Sequence, residues 1–414
     1  MSEPINRSQS LFKPQVNQQE TSTIARRQPR IANPQINSSL DGRTEPSWYR
    51  VLNRPQWIWR GINPIDLEAT LARIAVSDAE RTQPHLLDTV IGYRSGNWIY
   101  EWANQAMQWQ QKALDAGDQA QAGEHWLQAA LHYSVASYPH LRGDHLAEQV
   151  EVLANRAYKE AAHCLGYKVR ELSLRHEGHP LQAYLHLPGD EGPYPVVMLC
   201  GGLDSLHSDS YRLFREYLAP RGIAMVTMDM PSVGASSRWT LTQDTSCLHQ
   251  VLLHHLEQEP WVDHHKVVIL GIRFGANAAL RLAFLEPQRL RGVACLGAVV
   301  HHLLCSPRQF DQVPQMYVDM LASRLGIDAS AEGLLRAELQ SYSLKNQGLL
   351  GRRCQVPVLA AGIEGDPFCP EEENRFIAMS SVEGRRLKIP SSPLPTGFQR
   401  AMEQIAAWIE QKLI

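Results

Sequence analysis

Beyond residue 167 the chain alternates short apolar runs with helical stretches. The runs at 196–200, 223–228, 267–270, 293–296 and 356–361 are almost continuously apolar, the pattern of parallel strands buried on both faces. Ahead of them, 169–174 and 181–187 alternate apolar and polar residues around Glu177-Gly178-His179-Pro180, which predicts an antiparallel hairpin. Helical spacing at 210–219, 248–256 and 276–285 separates the apolar runs, and a last strand at 386–389 precedes a final helix at 398–413. An antiparallel start followed by repeated strand–helix units predicts an open, doubly wound, mostly parallel α/β sheet. A helical insertion at about 303–352 is expected over the carboxyl ends of the strands, where lids and binding loops sit.

The first part of the chain has a different rhythm. Residues 46–166 predict an all-helical domain rich in tryptophan, with Trp48, Trp57, Trp59, Trp98, Trp102, Trp109 and Trp126. Asn63-Pro64 is a cap followed by proline at the first helical position. Trp98, Trp102, Ala106 and Trp109 form one helical stripe, and Leu146, Val150, Leu153, Ala157 and Ala161 form another, begun by Gly143-Asp144. A tryptophan stripe can line a ligand cavity, but core packing accounts for it more simply, because aromatic side chains dominate the packing of helical cores. Residues 1–45 are polar and read as a flexible arm with one docking turn around Leu11 and Phe12; a partner-binding tail is the alternative.

Composition narrows the function classes. The 414 residues carry 40 Lys and Arg against 43 Asp and Glu, a formal net charge of −3 with the signs mixed along the chain. That balance speaks against nucleic acid or an anionic membrane as a partner. No apolar run reaches the roughly 20 residues that span a bilayer, and Met1-Ser2-Glu3-Pro4-Ile5-Asn6-Arg7 lacks the apolar stretch of a secretory signal. The seven cysteines are scattered without a paired framework, as expected of a reducing compartment, so a cytoplasmic location is expected.

The chemistry is expected where Val267-Val268-Ile269-Leu270 runs into Gly271-Ile272-Arg273-Phe274-Gly275 and then an alanine-rich helix. A strand, a sharp Gly-x-x-x-Gly turn and a helix form the setting of an α/β-hydrolase nucleophile elbow, in which the central residue is normally serine. Here it is Arg273, whose guanidinium has no nucleophilic oxygen. Gly202, Leu203 and the N–H of Phe274 are candidates for an oxyanion or ligand site. Asp366, in Gly365-Asp366-Pro367, stands in the position of the triad acid. The loop 390–396, where a triad histidine belongs, has none, and His302 is the last histidine in the chain. Asp204, Asp229, Ser232 and His301 are expected at the pocket wall. Ser205, Ser232 and Cys200 are weak substitutes for the nucleophile, since none has an evident base beside it. The doublets His254-His255, His264-His265 and His301-His302 do not face one side of a helix, so no metal or cofactor is expected. A long arginine can cross the vacated gap, so Arg273 is expected to pair with Asp366. The tryptophan-rich domain is expected to cover the strand ends and restrict access to Arg273.

Several segments resemble the FrsA family, the fermentation–respiration switch proteins of enteric-type bacteria. They are Ser47-Trp48-Tyr49-Arg50, Asp88-Thr89-Val90-Ile91-Gly92-Tyr93, Gly96-Asn97-Trp98, Tyr138-Pro139-His140-Leu141, 229–234, 271–277 and Ala322-Ser323-Arg324-Leu325-Gly326. The resemblance covers nearly everything after the first dozen residues, and the elbow arginine belongs to it. It implies an α/β-hydrolase fold preceded by a helical domain, and carboxylic-ester hydrolase activity linked to control of fermentation versus respiration. It also implies contact with the dephosphorylated glucose-specific enzyme IIA of the sugar phosphotransferase system. Without a Ser-His pair the expected activity on a small ester is weak. The alternatives are a non-catalytic regulatory protein, or an enzyme acting on a small carboxylate or other anionic ligand held by Arg273.

Overall fold

A computed structural model describes residues 19–24, 34–166, 168–391 and 394–414. The turn expected around Leu11 and Phe12 lies outside the described residues. The apolar runs form β1 (Lys168–His176), β2 (His179–Leu187), β3 (Tyr194–Cys200), β4 (Ala224–Met228), β5 (Val262–Ile272), β6 (Gly292–Leu296), β7 (Val358–Ile363) and β8 (Gly384–Ile389). They make one eight-stranded sheet in the order β1-β2-β4-β3-β5-β6-β7-β8. The first pairings, β1 with β2 and β2 with β4, are antiparallel, and all the others are parallel. β4, β6 and β7 are buried along their whole length, as their unbroken apolar character requires.

The hairpin is tighter than its sequence suggests. The ladder runs on to His176 opposite His179, so only Glu177 and Gly178 remain in the turn, at φ 51° and 80°. Positive φ at both central residues is the two-residue turn whose twist matches the strands. The helix expected at 210–219 is broken into a turn of α-helix (Tyr211–Leu213), a wider turn (Phe214–Leu218) and a 3₁₀ turn (Ala219–Arg221). Pro220 cannot donate to an α ladder there. The insertion holds helices His302–Cys305, Pro307–Phe310, Gln315–Leu325 and Glu332–Leu339.

The amino-terminal region supplies α1 (Arg54–Arg60), α2 (Pro64–Ala75), α3 (Trp98–Asp115), α4 (Gln119–Ser137) and α5 (His145–Cys164). Asn63, Asn97, Asp118 and Asp144 each cap a helix by accepting from a backbone N–H of the first turn. The stripe's Trp98 and Trp102 are core: with Trp57 of α1 they form a fully buried cluster with ring centroids 5.6–6.2 Å apart. Arg50 lies 4.6 Å over the Trp98 ring and pairs with Asp88 at 3.2 Å. Trp109 sits at the edge of this cluster, where its ring N–H donates to Asp66 at 2.9 Å. Among the described residues no helix is long and apolar enough to cross a membrane.

One buried cation ties the layers together. Arg324, on the insertion helix Gln315–Leu325, is 0% exposed. It donates to the carbonyls of Pro139 (2.9 Å) and His140 (2.5 Å), which follow α4. It also donates to Leu203 O (2.7 and 3.1 Å), after β3, and to Ser232 O (3.0 Å), after β4. Burial pulls its pKa down to about 10. Arg324→Met would strand four buried carbonyls, each costing about 1–3 kcal/mol when left without a donor. We therefore expect denaturant unfolding to report a loss of about 3 kcal/mol or more, with Arg324→Lys recovering only part of it.

Candidate active site

The elbow forms because two glycines allow backbone to approach backbone. A Cβ on Gly271 would lie 2.4 Å from Ala276 Cα, and one on Gly275 would lie 2.0 Å from Cys200 O. Between them Arg273 adopts φ 52°, a left-handed conformation that few non-glycine residues occupy. The helix Gly275–Leu285 then leads away from the site. The turn thus lifts the Arg273 side chain above the end of β5, where a hydrolase presents its serine.

That side chain meets two carboxylates. Its Nη1 donates to Asp366 Oδ2 at 2.6 Å and to Gly297 O at 3.1 Å. Its Nε donates to Asp41 Oδ1 at 2.9 Å, its Nη2 bonds Asp41 Oδ2, and Nη2 also reaches Ser38 Oγ at 3.4 Å. The Phe368 ring lies 5.5 Å from the guanidinium carbon. Asp366 is held in turn: its Oδ1 accepts from the Phe368 N–H (2.9 Å) and the Cys369 N–H (3.4 Å). Burial alone would lower the Arg273 pKa, but Asp366 and Asp41 outweigh it and raise it, so the cation is permanent. The same burial, with Asp366 adding to it and Arg273 opposing, pushes the Asp41 carboxyl up to about 6.

Asp41 comes from the segment expected to be a flexible arm. Residues 34–45 are instead packed down: Ile36, Ser38, Ser39, Leu40 and Asp41 are all buried. Asn37–Ser38 and Gly42–Arg43 pair as a small hairpin. Asn53 Nδ2 donates to Leu40 O at 2.7 Å, and Gln56 Nε2 to Ser39 O at 2.8 Å. Sequence reasoning missed Asp41 by weighing the polarity of the whole segment. The local signal was Leu40-Asp41-Gly42, an Asp-Gly turn between Ile36 and Val51 that suits a hairpin.

Two small cavities of about 60 Å³ each flank the ion pair, and Asp41, Asp204 and Arg273 line both. The first also has Leu203 and Phe274 in its wall and is roofed by Leu303, Val313, Met320 and Leu321 of the insertion. Asn53, Gln56, Trp59 and Arg60 close the second from the amino-terminal side, opposite Gly201, Gly202 and Ser205. The helical domain therefore walls in the strand ends and Arg273. The N–H groups of Leu203 and Phe274 carry no hydrogen bond to the described residues, which leaves them free for a ligand oxygen. Larger crevices, of about 550 Å³ beside Arg386 and Lys388 and about 660 Å³ beside Trp261, open at the sheet edges and do not contain the elbow.

Not every expected pocket residue is there. Asp229 is turned into the protein, accepting from the His207 N–H at 2.7 Å and from Ala235 N at 2.9 Å, with the His207 ring at 3.1 Å. Ser232 serves through its carbonyl, which accepts from Arg324, while its buried Oγ has no partner among the described residues. His301 bonds Ser343 Oγ at 2.8 Å and lines neither cavity. Each of these residues follows a strand, but Asp229 is turned to His207 and Ala235 and His301 to Ser343, away from both cavities. Cys200 is buried, and burial pushes its thiol pKa up, against a nucleophilic role. Ser205 reaches the second cavity with no histidine beside it. In two of the histidine doublets the rings are spent singly, His254 on Glu286 and His255 on Glu259, and His301 on Ser343 and His302 on Glu373.

The comparisons with known proteins agree with this architecture. A profile of the family described as "Esterase FrsA-like" matches residues 2–414. "Esterase FrsA" of Yersinia pestis (strain Pestoides F) is 56% identical over 410 residues, covering 99% of each chain. The same figures hold for "Esterase FrsA" of Yersinia pseudotuberculosis (serotype O:1b, strain IP 31758). Among solved structures, a 2,6-dihydroxy-pseudo-oxynicotine hydrolase is similar with a TM-score of 0.69 and 19% identity, over 87% of this chain and 95% of that one. Wild-type AbyA5 is similar with a TM-score of 0.64 and 19% identity, over 84% and 94%. At those identities the likeness speaks for the fold alone. A family match along the whole length, with more than half of all positions shared, makes the chain a member of the FrsA-like esterase family, built on the α/β-hydrolase fold.

Proposed function

We propose that this protein is a slow ester hydrolase that works without an acyl-enzyme. The observation that carries the reading is the elbow itself: a left-handed Arg273 held by Asp41 and Asp366, beside two unspent amides. Serine hydrolases attack with a side-chain oxygen; this elbow has none to offer. An oxyanion site retains roughly 10³–10⁴-fold of catalysis over water when triad members are lost. The free N–H groups of Leu203 and Phe274 supply such a site, and the guanidinium adds positive charge next to it. The cavity is small and largely apolar, which favours a short, neutral ester.

A small carboxylate or other anionic ligand is less well supported. Two carboxylates against one guanidinium leave the cluster negative, and the Nε–Nη2 side of the fork is already filled by Asp41. A free anion would have to displace a carboxylate that is tethered in place. The internal neutralisation of Arg273 also favours a second reading, in which catalysis is incidental. In that reading the protein works in the cytoplasm to set fermentation against respiration through contact with glucose-specific enzyme IIA. This rests on the family resemblance, and calorimetry against the phosphorylated and dephosphorylated partner tests it.

For the hydrolase reading, rigorously purified protein should turn over 4-nitrophenyl acetate linearly from the first turnover, with no stoichiometric burst and no labelling by a fluorophosphonate. A burst with phosphonate inactivation would place a covalent nucleophile in the site and sink the reading. Arg273→Lys keeps a charge but loses the fork, and should lower kcat/KM by about 10-fold or more. Arg273→Ser should not create a serine esterase, because no histidine lines either cavity to activate it.

A further inference from the structure

We propose that Asp41 is the general base of this hydrolysis and stands in for the histidine that the chain lacks. The inference rests on the hydrolase reading above and adds the group that activates water. An ester hydrolase without a nucleophile must deprotonate water beside the carbonyl, so the base has to border the same cavity as the oxyanion donors. Among the described residues no histidine does so, and the carboxylates that do are Asp41 and Asp204. Asp366 is already committed, its Oδ1 to two amides and its Oδ2 to Arg273, with its side chain fully buried.

Asp41 has both the capacity and the orientation. Each carboxylate oxygen has two lone-pair sites. Arg273 takes one on each oxygen, and no other hydrogen bond to them is recorded among the described residues, so each oxygen retains a site. The bidentate contact fixes the plane of the carboxylate, as a positioned base requires. Asp204 lines the same cavity but is less buried, and among the described residues no hydrogen bond aims it. The charged and titratable groups facing Asp41 are Arg273 on the elbow, Asp366 after β7, Asp204 after β3, and Tyr317 of the insertion. The Tyr317 hydroxyl reaches the Asp41 carbonyl at 3.4 Å. Tyr138, after α4, also senses its charge. Burial and the two neighbouring carboxylates outweigh Arg273, so the proton affinity of Asp41 rises to about 6. The group is ionised at neutral pH and still basic enough to accept a proton.

The step balances without any further reagent. Water gives one proton to Asp41 as its oxygen bonds the ester carbon. The C=O electron pair moves to the oxygen held by the Leu203 and Phe274 N–H groups. As the carbonyl re-forms, the bond to the alcohol oxygen breaks, and that oxygen takes the proton back from Asp41. Carboxylic acid and alcohol leave, and Asp41 is ionised again.

The test is the pH dependence of kcat/KM for 4-nitrophenyl acetate, in the full chain. Because the base must be unprotonated, activity should rise with pH along one acid limb centred near pH 6. Asp41→Asn should erase that limb and lower kcat by about 100-fold, the scale of a lost general base. It should also abolish the solvent deuterium effect. A folded Asp41→Asn protein with the wild-type rate and limb overturns the proposal, and an Asp204→Asn protein that loses the limb instead would name the true base. Should Asp41→Asn fail to fold, Asp41→Glu decides: kcat lowered about 10-fold or more at unchanged KM supports the assignment, and unchanged kcat rejects it. Wild-type protein with no turnover at all removes the hydrolase reading and this one with it, an outcome distinct from turnover that is indifferent to Asp41.

Discussion

A guanidinium lifted out of water has to find negative charge within reach, because an unpaired buried ion costs several kcal/mol. At this elbow the requirement organises the molecule. Arg273 is 8% exposed and stands where the fold bends most sharply. One carboxylate comes from Asp366, which the α/β-hydrolase scaffold already places there. The other comes from Asp41, more than 200 residues earlier in the chain. Satisfying the cation therefore means bringing the segment 34–45 down over the sheet, and the hairpin, α1 and Trp59 come with it. Arg324 makes a second junction of the same kind with neutral partners, joining the cis-proline turn after α4 to the loops after β3 and β4.

The same constraint reshapes the chemistry. In a serine hydrolase, acid, histidine and serine stand in one line: the histidine takes the serine's proton and returns it, and the acid orients the histidine and stays ionised. Here the acid and the strained turn persist, while the middle of the line is filled by a fixed positive charge. Such a charge cannot shuttle protons, but it pairs with Asp366 and orients Asp41. Burial, with the Asp366 carboxylate adding to it, raises the Asp41 pKa against the pull of Arg273, and two carboxylates already satisfy the Arg273 cation. The amides of Leu203 and Phe274 carry no hydrogen bond to the described residues, and on the proposed hydrolase reading they receive a neutral carbonyl oxygen.

Much of this was legible in the residues. Unbroken apolar runs such as 293–296 marked buried parallel strands, and Gly271 with Gly275 marked the elbow, because close backbone approach leaves no room for a side chain there. Asp366 could be paired with Arg273 from topology alone. Asp41 was harder: its neighbours are polar, and their burial depends on Asn53 and Gln56 at the start of α1 and on Arg273, more than 200 residues away. Asp229, Ser232 and His301 misled for the opposite reason. They follow the right strands, but position after a strand says nothing about whether a side chain turns to the cavity or away from it, as Asp229 turns to His207 and His301 to Ser343. Burial of Trp98 and Trp102 followed from helical spacing, whereas Trp109 on the same stripe ends at the margin with Asp66.

The central claim is that Arg273 and Asp41 hold each other, and through each other hold the amino-terminal segment on the sheet. A double-mutant cycle with Arg273→Met, Asp41→Asn and the double variant, read by denaturant unfolding of the full chain, measures this directly. The account predicts a coupling energy of about 2 kcal/mol or more, since each single change strands a buried partner. Effects that add to within about 0.5 kcal/mol would mean the two residues do not depend on each other, and would contradict it.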